Sequence, residues 1–492
     1  MKEYQFPLIL MAAFVVACAS NLTAESPRLI IMADMGNEPD EEQQMAHLLM
    51  YANMVDLEGL IACSGKYLHA DRDDGRTKVR PDLLHNLVNA YEEVVENLRL
   101  HSTGWPDPDD LRSIIKPGTS GYGIEAVKPG RSNDASKLIE SSILKKDPRK
   151  LYIVGNAGTN TLAQALVDLD ETRSEEQMAQ LCRKIIVFEN GAQDNSGAWI
   201  AKNYPEIAWH RSNHQTYGYG GPGREKIEGP YTWEPFDRSA DGQNEWAVKH
   251  IMTEHGSLGA AFPRREMGRR LHFIEGGGTI PWMALVNRGL ADPEHLDWGG
   301  WSGRFSSSRH KNIFSRHQDV RRDERNYGDF EMFEADSEVE TWIEPVHDEE
   351  FTSKYVPVWR FRRAMFNDFQ ARMDWCVKAF KEANHNPVAA INKNDSDEIL
   401  RFQASPGQTV EFDASESWDP DEDRLEFEWW IYPEAGTHEG TILLPERTAS
   451  TISFAVPNDS TGSTIHLILT VKDNNPIVPL YDYRRVIIEV HQ

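Results

Sequence analysis

Leu29-Ile-Ile-Met-Ala-Asp-Met-Gly-Asn-Glu-Pro-Asp-Glu-Glu42 decides the fold. An unbroken apolar run at 29–32 leads into a short acidic stretch punctuated by Gly36 and Pro39. Residues 41–54 follow, with Met45, Leu48, Leu49 and Ala52 at helical spacing. A strand buried on both faces reads as a continuous apolar run, whereas a strand with one wet face alternates. The stretch therefore reads as the first strand, loop and helix of a parallel α/β unit.

The pattern continues along the chain. Residues 57–62 read as a strand, 81–98 as an amphipathic helix, 151–154 as a strand and 161–169 as a helix. Two more apolar runs, 185–188 and 271–274, repeat the theme. Such alternation predicts a parallel sheet covered by helices on both faces, with ligands bound beyond the carboxyl ends of the strands. Residues 355–383, rich in aromatics and Arg, read as one helical stretch closing this domain. After Asn384-His-Asn-Pro387 the texture changes to short strands (409–412, 425–429, 465–470) separated by Gly, Pro, Asp and Asn. These predict an all-β immunoglobulin-like sandwich. The expected division is an export signal at 1–24, an α/β domain at 25–385 and a β-sandwich at 386–492.

Composition narrows the function. The 492 residues carry 52 Lys+Arg against 78 Asp+Glu, a formal net charge of −26. With 40% hydrophobic and 26% charged residues the chain is globular rather than disordered. Its acidity argues against a nucleic-acid partner, which requires clustered Lys and Arg, and against docking on anionic lipid.

At the N-terminus, Lys2 precedes an apolar run from Pro7 to Ala17, too short to span a bilayer in the mature protein. Two processing sites compete. Leu22-Thr23-Ala24 resembles an ordinary secretory cleavage site, whereas Val15-Val16-Ala17-Cys18 resembles a bacterial lipobox that would place a lipid anchor on Cys18. Either reading exports the protein, to the periplasm, the medium or a bacterial membrane surface. No other stretch is long and apolar enough for a transmembrane span. Cys63, Cys182 and Cys376 show no CxxC spacing, so they read as small core residues rather than zinc ligands or disulfide partners.

Asp34, Glu38, Asp40 and Glu41 crowd into eight residues at a strand end. Carboxylates gathered this closely repel unless a hard cation neutralises them, and Ca²⁺ takes oxygen ligands of this kind. The competing explanation is that Asp40, Glu41 and Glu42 favour the positive end of a helix dipole.

The loop resembles the metal-binding loop of nucleoside hydrolases. It is still more similar to the DMGNEPDD-type loop of a nucleoside-hydrolase-like family that includes secreted cellulose-binding proteins. Gly155-Asn-Ala-Gly-Thr-Asn-Thr-Leu-Ala163 looks like the segment whose Thr carbonyl ligates calcium in nucleoside hydrolases. Glu189-Asn-Gly-Ala-Gln-Asp-Asn-Ser-Gly-Ala-Trp199 sits where that fold places a substrate-binding loop. Trp298-Gly-Gly-Trp-Ser-Gly-Arg304 and Phe366-Asn-Asp-Phe-Gln-Ala-Arg-Met-Asp-Trp375 also look like runs of this family.

The resemblance implies a Ca²⁺ site of Asp34, Glu38, Asp40, Glu41 and the Thr159 carbonyl, with Asp34 deprotonating a water for attack on an anomeric carbon. It implies substrate contacts from Asn37, Asn160, Asn190, Asp194, Trp199 and Trp282. One departure stands out. Where nucleoside hydrolases place a late Asp ligand, this chain reads Glu275-Gly-Gly-Gly-Thr-Ile-Pro-Trp282. Either Glu275 reaches the ion, or the loop binds it weakly or not at all. The neighbouring His of nucleoside hydrolases is also missing, because His272 falls inside the strand.

Trp199, Trp282, Trp298 and Trp301 lie in Gly-rich loops and suit a saccharide cleft, unless they pack in the core as large aromatics commonly do. His210, His214 and residues 217–223 suggest a polar loop at its mouth. In the sandwich, Asp413-Ala-Ser-Glu-Ser-Trp-Asp-Pro-Asp-Glu-Asp423 resembles a run of PKD-like and cadherin-like modules, in which Asp419, Asp421 and Asp423 hold Ca²⁺ or shape a solvated turn. The leading reading is an exported hydrolase of glycosidic or N-glycosidic bonds acting on a saccharide-type substrate. The alternative is a non-catalytic, cellulose-binding protein on a hydrolase scaffold.

Overall fold

The computed structural model describes residues 26–212, 245–267, 271–273, 278–286, 289–311, 327–335, 339–345 and 348–492. Strands β1 (Arg28–Ala33), β2 (Asp56–Ala62), β3 (Ile115–Pro117), β4 (Leu151–Gly155), β5 (Ile185–Asn190) and β6 (Ala208–Ser212) lie in one sheet. Numbering the remaining strands in chain order, β7 is Arg265–Met267, β8 Leu271–Phe273, β9 His310–Lys311 and β10 Glu331–Glu334. The sheet order is β3-β2-β1-β4-β5-β6-β10-β9, parallel throughout except for β9.

β1 shows why its apolar run is continuous. Leu29, Ile31 and Ala33 face one core, and Ile30 and Met32 face the other. The helices after β1 and β2 (Pro39–Leu49, Pro81–Glu92) cover the first face. Those after β3, β4 and β5 (Asp134–Leu144, Asn160–Asp170, Ser196–Asn203) cover the second. The connections thus change face beside β1 and β4. That is the topological switch point of a doubly wound sheet, where a crevice opens at the carboxyl ends.

Two expected elements differ. Leu271–Phe273 is not a strand of the main sheet; it pairs antiparallel with Arg265–Met267. The stretch 355–383 is broken into helices Val356–Trp359 and Arg362–Asp374 and a short 3₁₀ turn, Phe380–Glu382. Strands β11 (Glu340–Glu344) and β12 (Glu349–Ser353) form a hairpin ahead of it.

The C-terminal part packs a four-stranded sheet, β13 (Leu400–Ala404), β18 (Tyr481–Val490), β17 (Thr464–Asp473) and β15 (Leu425–Ile431), on the pair β14 (Thr409–Asp413) and β16 (Thr451–Ala455). Val410, Phe412, Ile452 and Phe454 meet Trp429, Leu467, Leu469 and Ile488 between the layers. The Asp419 carboxylate accepts the backbone N–H groups of Asp421 and Asp423 at 2.8 and 3.0 Å, so it shapes a turn. Tyr432, Ile468 and Tyr483 of this part belong to the core of the first domain's helical face. Arg485, fully buried, donates to the carbonyls of Leu290, Trp298 and Gly299. The two parts therefore share packed interior. Cys63, Cys182 and Cys376 are buried and unpaired.

Candidate functional site

Asp34 follows β1 directly, and its own carbonyl accepts the Asn37 N–H at 2.9 Å, turning the chain toward Pro39 at the start of the next helix. Gly36 makes this turn at φ +97°, a left-handed conformation that glycine adopts without strain. Asp34 is fully buried, and its carboxylate meets no side-chain N–H or hydroxyl, only the neighbouring acid Glu41. Burial first, and then the charge of Asp40, push its pKa up to about 7. Burial, Asp40 and Asp34 likewise raise Glu41 well above the usual carboxylate range. Asp40 and Glu41 are buried, and Glu38 is half-buried. These acids are therefore packed beneath the loop, which a helix-dipole role at a solvated helix start would not require.

The next loops close around this group. Asp34 lies against Gly65 after β2, and Asp194, after β5, lies against Gly158 after β4. Asp194 Oδ1 accepts the Ser196 N–H at 2.8 Å, the Ser196 hydroxyl and the Thr159 N–H at 3.4 Å, whereas Oδ2 has no donor. Burial raises Asp194 to about 6 despite those bonds. Asp34 and Asp194 both act on the buried Cys63 thiol, whose pKa burial and these two charges drive up. Asn156, Asn160, Asn190 and Gln193 each bury a side-chain oxygen that no donor meets. Buried polar atoms normally find partners, so this row of open acceptors marks a place made for donors or cations.

The sequence expectations divide on this geometry. Asp34 and Asp194 lie on the carboxyl-end loops, Glu41 and Asn160 in the first turns of the helices that follow β1 and β4, and Asn190 at the end of β5. Asn37 is half-buried beside them and accepts from Arg76 at 3.3 Å. The Thr159 carbonyl, expected on a cation, accepts the Ala163 N–H at 3.0 Å, as the carbonyl beginning a helix does. Trp282 is not a sugar platform: it is fully buried and meets His47 edge-on at 5.3 Å. Trp301 is core as well, and Trp298 stacks on His295 at 4.1 Å at the junction with the sandwich. Trp199 packs half-buried against the outer core and Tyr204. His210 is a buried strand residue stacked on Phe333. Glu275, His214 and residues 217–223 lie outside the described residues.

Sequence reading missed Ser64, Gly65, Asn156, Gly158 and Gln193. The signal present was a cluster of small and amide residues directly after apolar runs. It also missed the buried pair of Glu189 and Arg211, joined at 2.8 Å with the Trp209 indole N–H on the same carboxylate.

Calcium can be tested against these donors. All are oxygen, and Asp34, Glu41 and Asp194 present carboxylate oxygens without donors, as a hard cation requires. Among the described residues, however, no three His, Cys, Asp or Glu side chains converge closely enough to hold a metal ion. The oxygen chemistry fits; a convergence of three such side chains is not found among the described residues.

Residues 28–305 match the family described as cellulose-binding Sde182, nucleoside hydrolase-like domain, and residues 409–490 match that of the cellulose-binding protein Sde0182, C-terminal domain. A solved nucleoside hydrolase-related hypothetical protein from Saccharophagus degradans, associated with carbohydrate metabolism, is 32% identical with a TM-score of 0.79. That likeness covers 95% of this chain and 100% of the other. An endo-beta-1,4-mannanase from Thermotoga petrophila gives only 10% identity over 95% and 98% of the two chains, with a TM-score of 0.16 that says nothing about the fold. No curated protein matches the sequence.

Proposed function

The chain belongs to the family of cellulose-binding proteins built on a nucleoside hydrolase-like domain, and from that premise we propose that it is an exported hydrolase of glycosyl bonds acting on saccharide-type substrates. The observation that carries this reading is Asp34, a fully buried carboxylate at the switch point whose oxygens face the acid Glu41 rather than a cationic side chain. A water seated against it would give up its proton to the carboxylate as its oxygen bonds to the anomeric carbon. The bond from that carbon to the leaving group breaks, the leaving group keeping the electron pair and taking a proton from solvent. Asn160, Asn190 and Asp194 present acceptors to the hydroxyl donors of a sugar ring. Calcium, when bound, would neutralise the carboxylates and acidify the attacking water; Asp34 and the neighbouring Glu41 are the described residues to hold it, and Glu275 is the further ligand we propose.

Export through the segment 1–24, with or without lipidation at Cys18, belongs to the same proposal; no helix of the described residues is long and apolar enough to cross a membrane. The test is turnover of a panel of cello-oligosaccharides and nucleosides by wild type and Asp34→Asn, with calcium and with chelator. Turnover lost in the variant and reduced by chelation is expected. Equal rates in every arm would overturn the mechanism.

The second reading is carbohydrate binding without catalysis, favoured by the lack of three converging metal-type ligands among the described residues. It predicts retention of the whole chain on cellulose with no turnover of any panel member.

A further inference from the structure

Two loops rise from the carboxyl ends of β2 and β3 and stand beside Asp34. The first leaves β2 at Cys63 and doubles back at once, Gly65 and Leu68 exchanging backbone hydrogen bonds at 2.9 and 3.2 Å. Gly65 is the residue against which the Asp34 carboxylate packs, so His69 begins one short turn above the carboxylate. The second loop is pinned to the floor of the site. The Gly121 carbonyl accepts the Ser64 hydroxyl at 2.7 Å and the Asn160 amide at 2.8 Å, which fixes Tyr122 next to it.

The loops are then tied to each other. The Ala70 N–H donates to the Ser120 carbonyl at 2.7 Å, and the Tyr122 N–H to Asp71 at 3.4 Å. On the far side, Asn195 accepts the Ile124 N–H at 2.9 Å, bringing the loop against the segment that carries Asp194. The imidazole of His69 and the phenol ring of Tyr122 meet at 5.1 Å between centroids, both half-buried. Among the described residues, neither is a member of the core clusters on the two faces of the sheet. Partial burial and the charge of Arg72 lower the His69 pKa, against Asp71, 3.8 Å from its Nδ1, and Asp74, which raise it.

We propose that His69 and Tyr122 form one wall of a saccharide subsite above Asp34, against which a sugar ring beyond the cleaved bond lays its C–H face. Binding pockets of this kind combine an apolar or aromatic wall with a few fixed polar groups, and the acceptors of Asn160 and Asp194 supply the latter. Trp282 and Trp301, expected to play this part, are buried in the core, whereas these two half-buried rings stand on the carboxyl-end loops. The inference rests on the site proposed above and names the group that selects its ligand.

The test is titration calorimetry of the whole chain with cellotetraose, on wild type, Tyr122→Ala, Tyr122→Phe and His69→Ala, with Asp34→Asn turnover measured in parallel. Loss of the tyrosine ring is expected to weaken binding roughly tenfold, and Tyr122→Phe, which keeps the ring, to stay within about threefold of wild type. Wild type and Tyr122→Ala binding alike would overturn the wall, as would no binding by wild type. If Asp34→Asn still abolished turnover, the hydrolase reading would survive that failure. Ring-dependent binding without turnover in any form would instead remove the hydrolase reading and keep the wall.

Discussion

The carboxylate of Asp34 rests on Gly65: its Oδ2 lies 3.1 Å from where a β-carbon on Gly65 would stand. Gly158 holds Asp194 more tightly, with 2.3 Å between the same notional carbon and Asp194 Oδ2, and 2.8 Å to the Ser64 carbonyl. A methyl at Gly158 meets fixed backbone and has no room to settle. Gly158→Ala should therefore cost about 1–3 kcal/mol in denaturant unfolding and weaken ligand binding as well. Gly65→Ala, meeting only a side chain at a tight contact, should cost under about 1 kcal/mol while still displacing Asp34 and impairing function. A neutral Gly158→Ala would mean that the two loops are not held at this spacing.

Asp34 sits among charges that disfavour its own ionisation, Asp40 foremost. Replacing it by Asn removes one of the repelling carboxylates while keeping the shape. In chelator, Asp34→Asn should raise stability by roughly 1 kcal/mol, the exchange of stability for function common at such sites. Thermal unfolding with and without calcium checks this. A fall in stability in chelator would show that the carboxylates are not a source of strain.

The part of the fold legible in the sequence was the part written in apolar runs. Ile30, Met32, Ile153 and Val187 are buried on a sheet covered on both faces, so periodicity alone places them. β6 escaped because Trp209, His210 and Arg211 interrupt any such run. Arg211 is buried there because Glu189, on the neighbouring strand, compensates its charge. That pairing is a property of the folded sheet, and one strand's composition does not carry it. The same holds at the site. Asp34 announced itself by its place between a strand and a Gly-Pro loop, whereas the fates of Trp282 and Trp301 were settled by which helices packed over them. A tryptophan in a Gly-rich loop has the same local sequence whether it faces solvent or core.

His466 is buried on β17, and its Nδ1 accepts from Arg485 at 2.9 Å. Burial, and then the Arg485 charge, lower its pKa to about 3. The unfolded chain therefore takes up a proton near pH 6.5 that the folded chain refuses until about pH 3. The stability concerned is fully present above pH 6.5 and is lost as the pH falls through that window, by at most about 1.4 kcal/mol per pH unit. His466→Gln keeps an acceptor for Arg485 and cannot titrate. Its melting temperature should fall less steeply than wild type between pH 6.5 and 4. Parallel profiles would show that this imidazole is not kept neutral.

The sandwich is joined to the α/β domain through buried contacts and is not a separable module. Three contacts argue for this. Arg485 hands its guanidinium to three carbonyls of the segment Leu290–Gly299. The Tyr432 hydroxyl lies 3.2 Å from both oxygens of the buried Glu340 carboxylate, to which Arg304 and Arg360 also donate at 2.6 and 2.9 Å. Gly289 lets the chains approach so closely that a β-carbon there would stand 2.2 Å from the Tyr483 carbonyl, beside the bond from the Arg485 N–H to the Gly289 carbonyl at 2.8 Å. Because the obstacle at Gly289 is backbone, a methyl can be accommodated only by moving the sandwich. Calorimetry of the whole chain should show one cooperative transition. Gly289→Ala should lower its midpoint by several degrees and broaden or split it, since the cost of prising the junction falls on the contacts that couple the two parts. Two transitions in the wild type, or an unchanged midpoint in the variant, would show that the shared interior does not carry the coupling. One transition would also mean that cellulose retention must be measured on the whole chain, because an excised sandwich would expose Tyr432, Ile468 and Tyr483 to water.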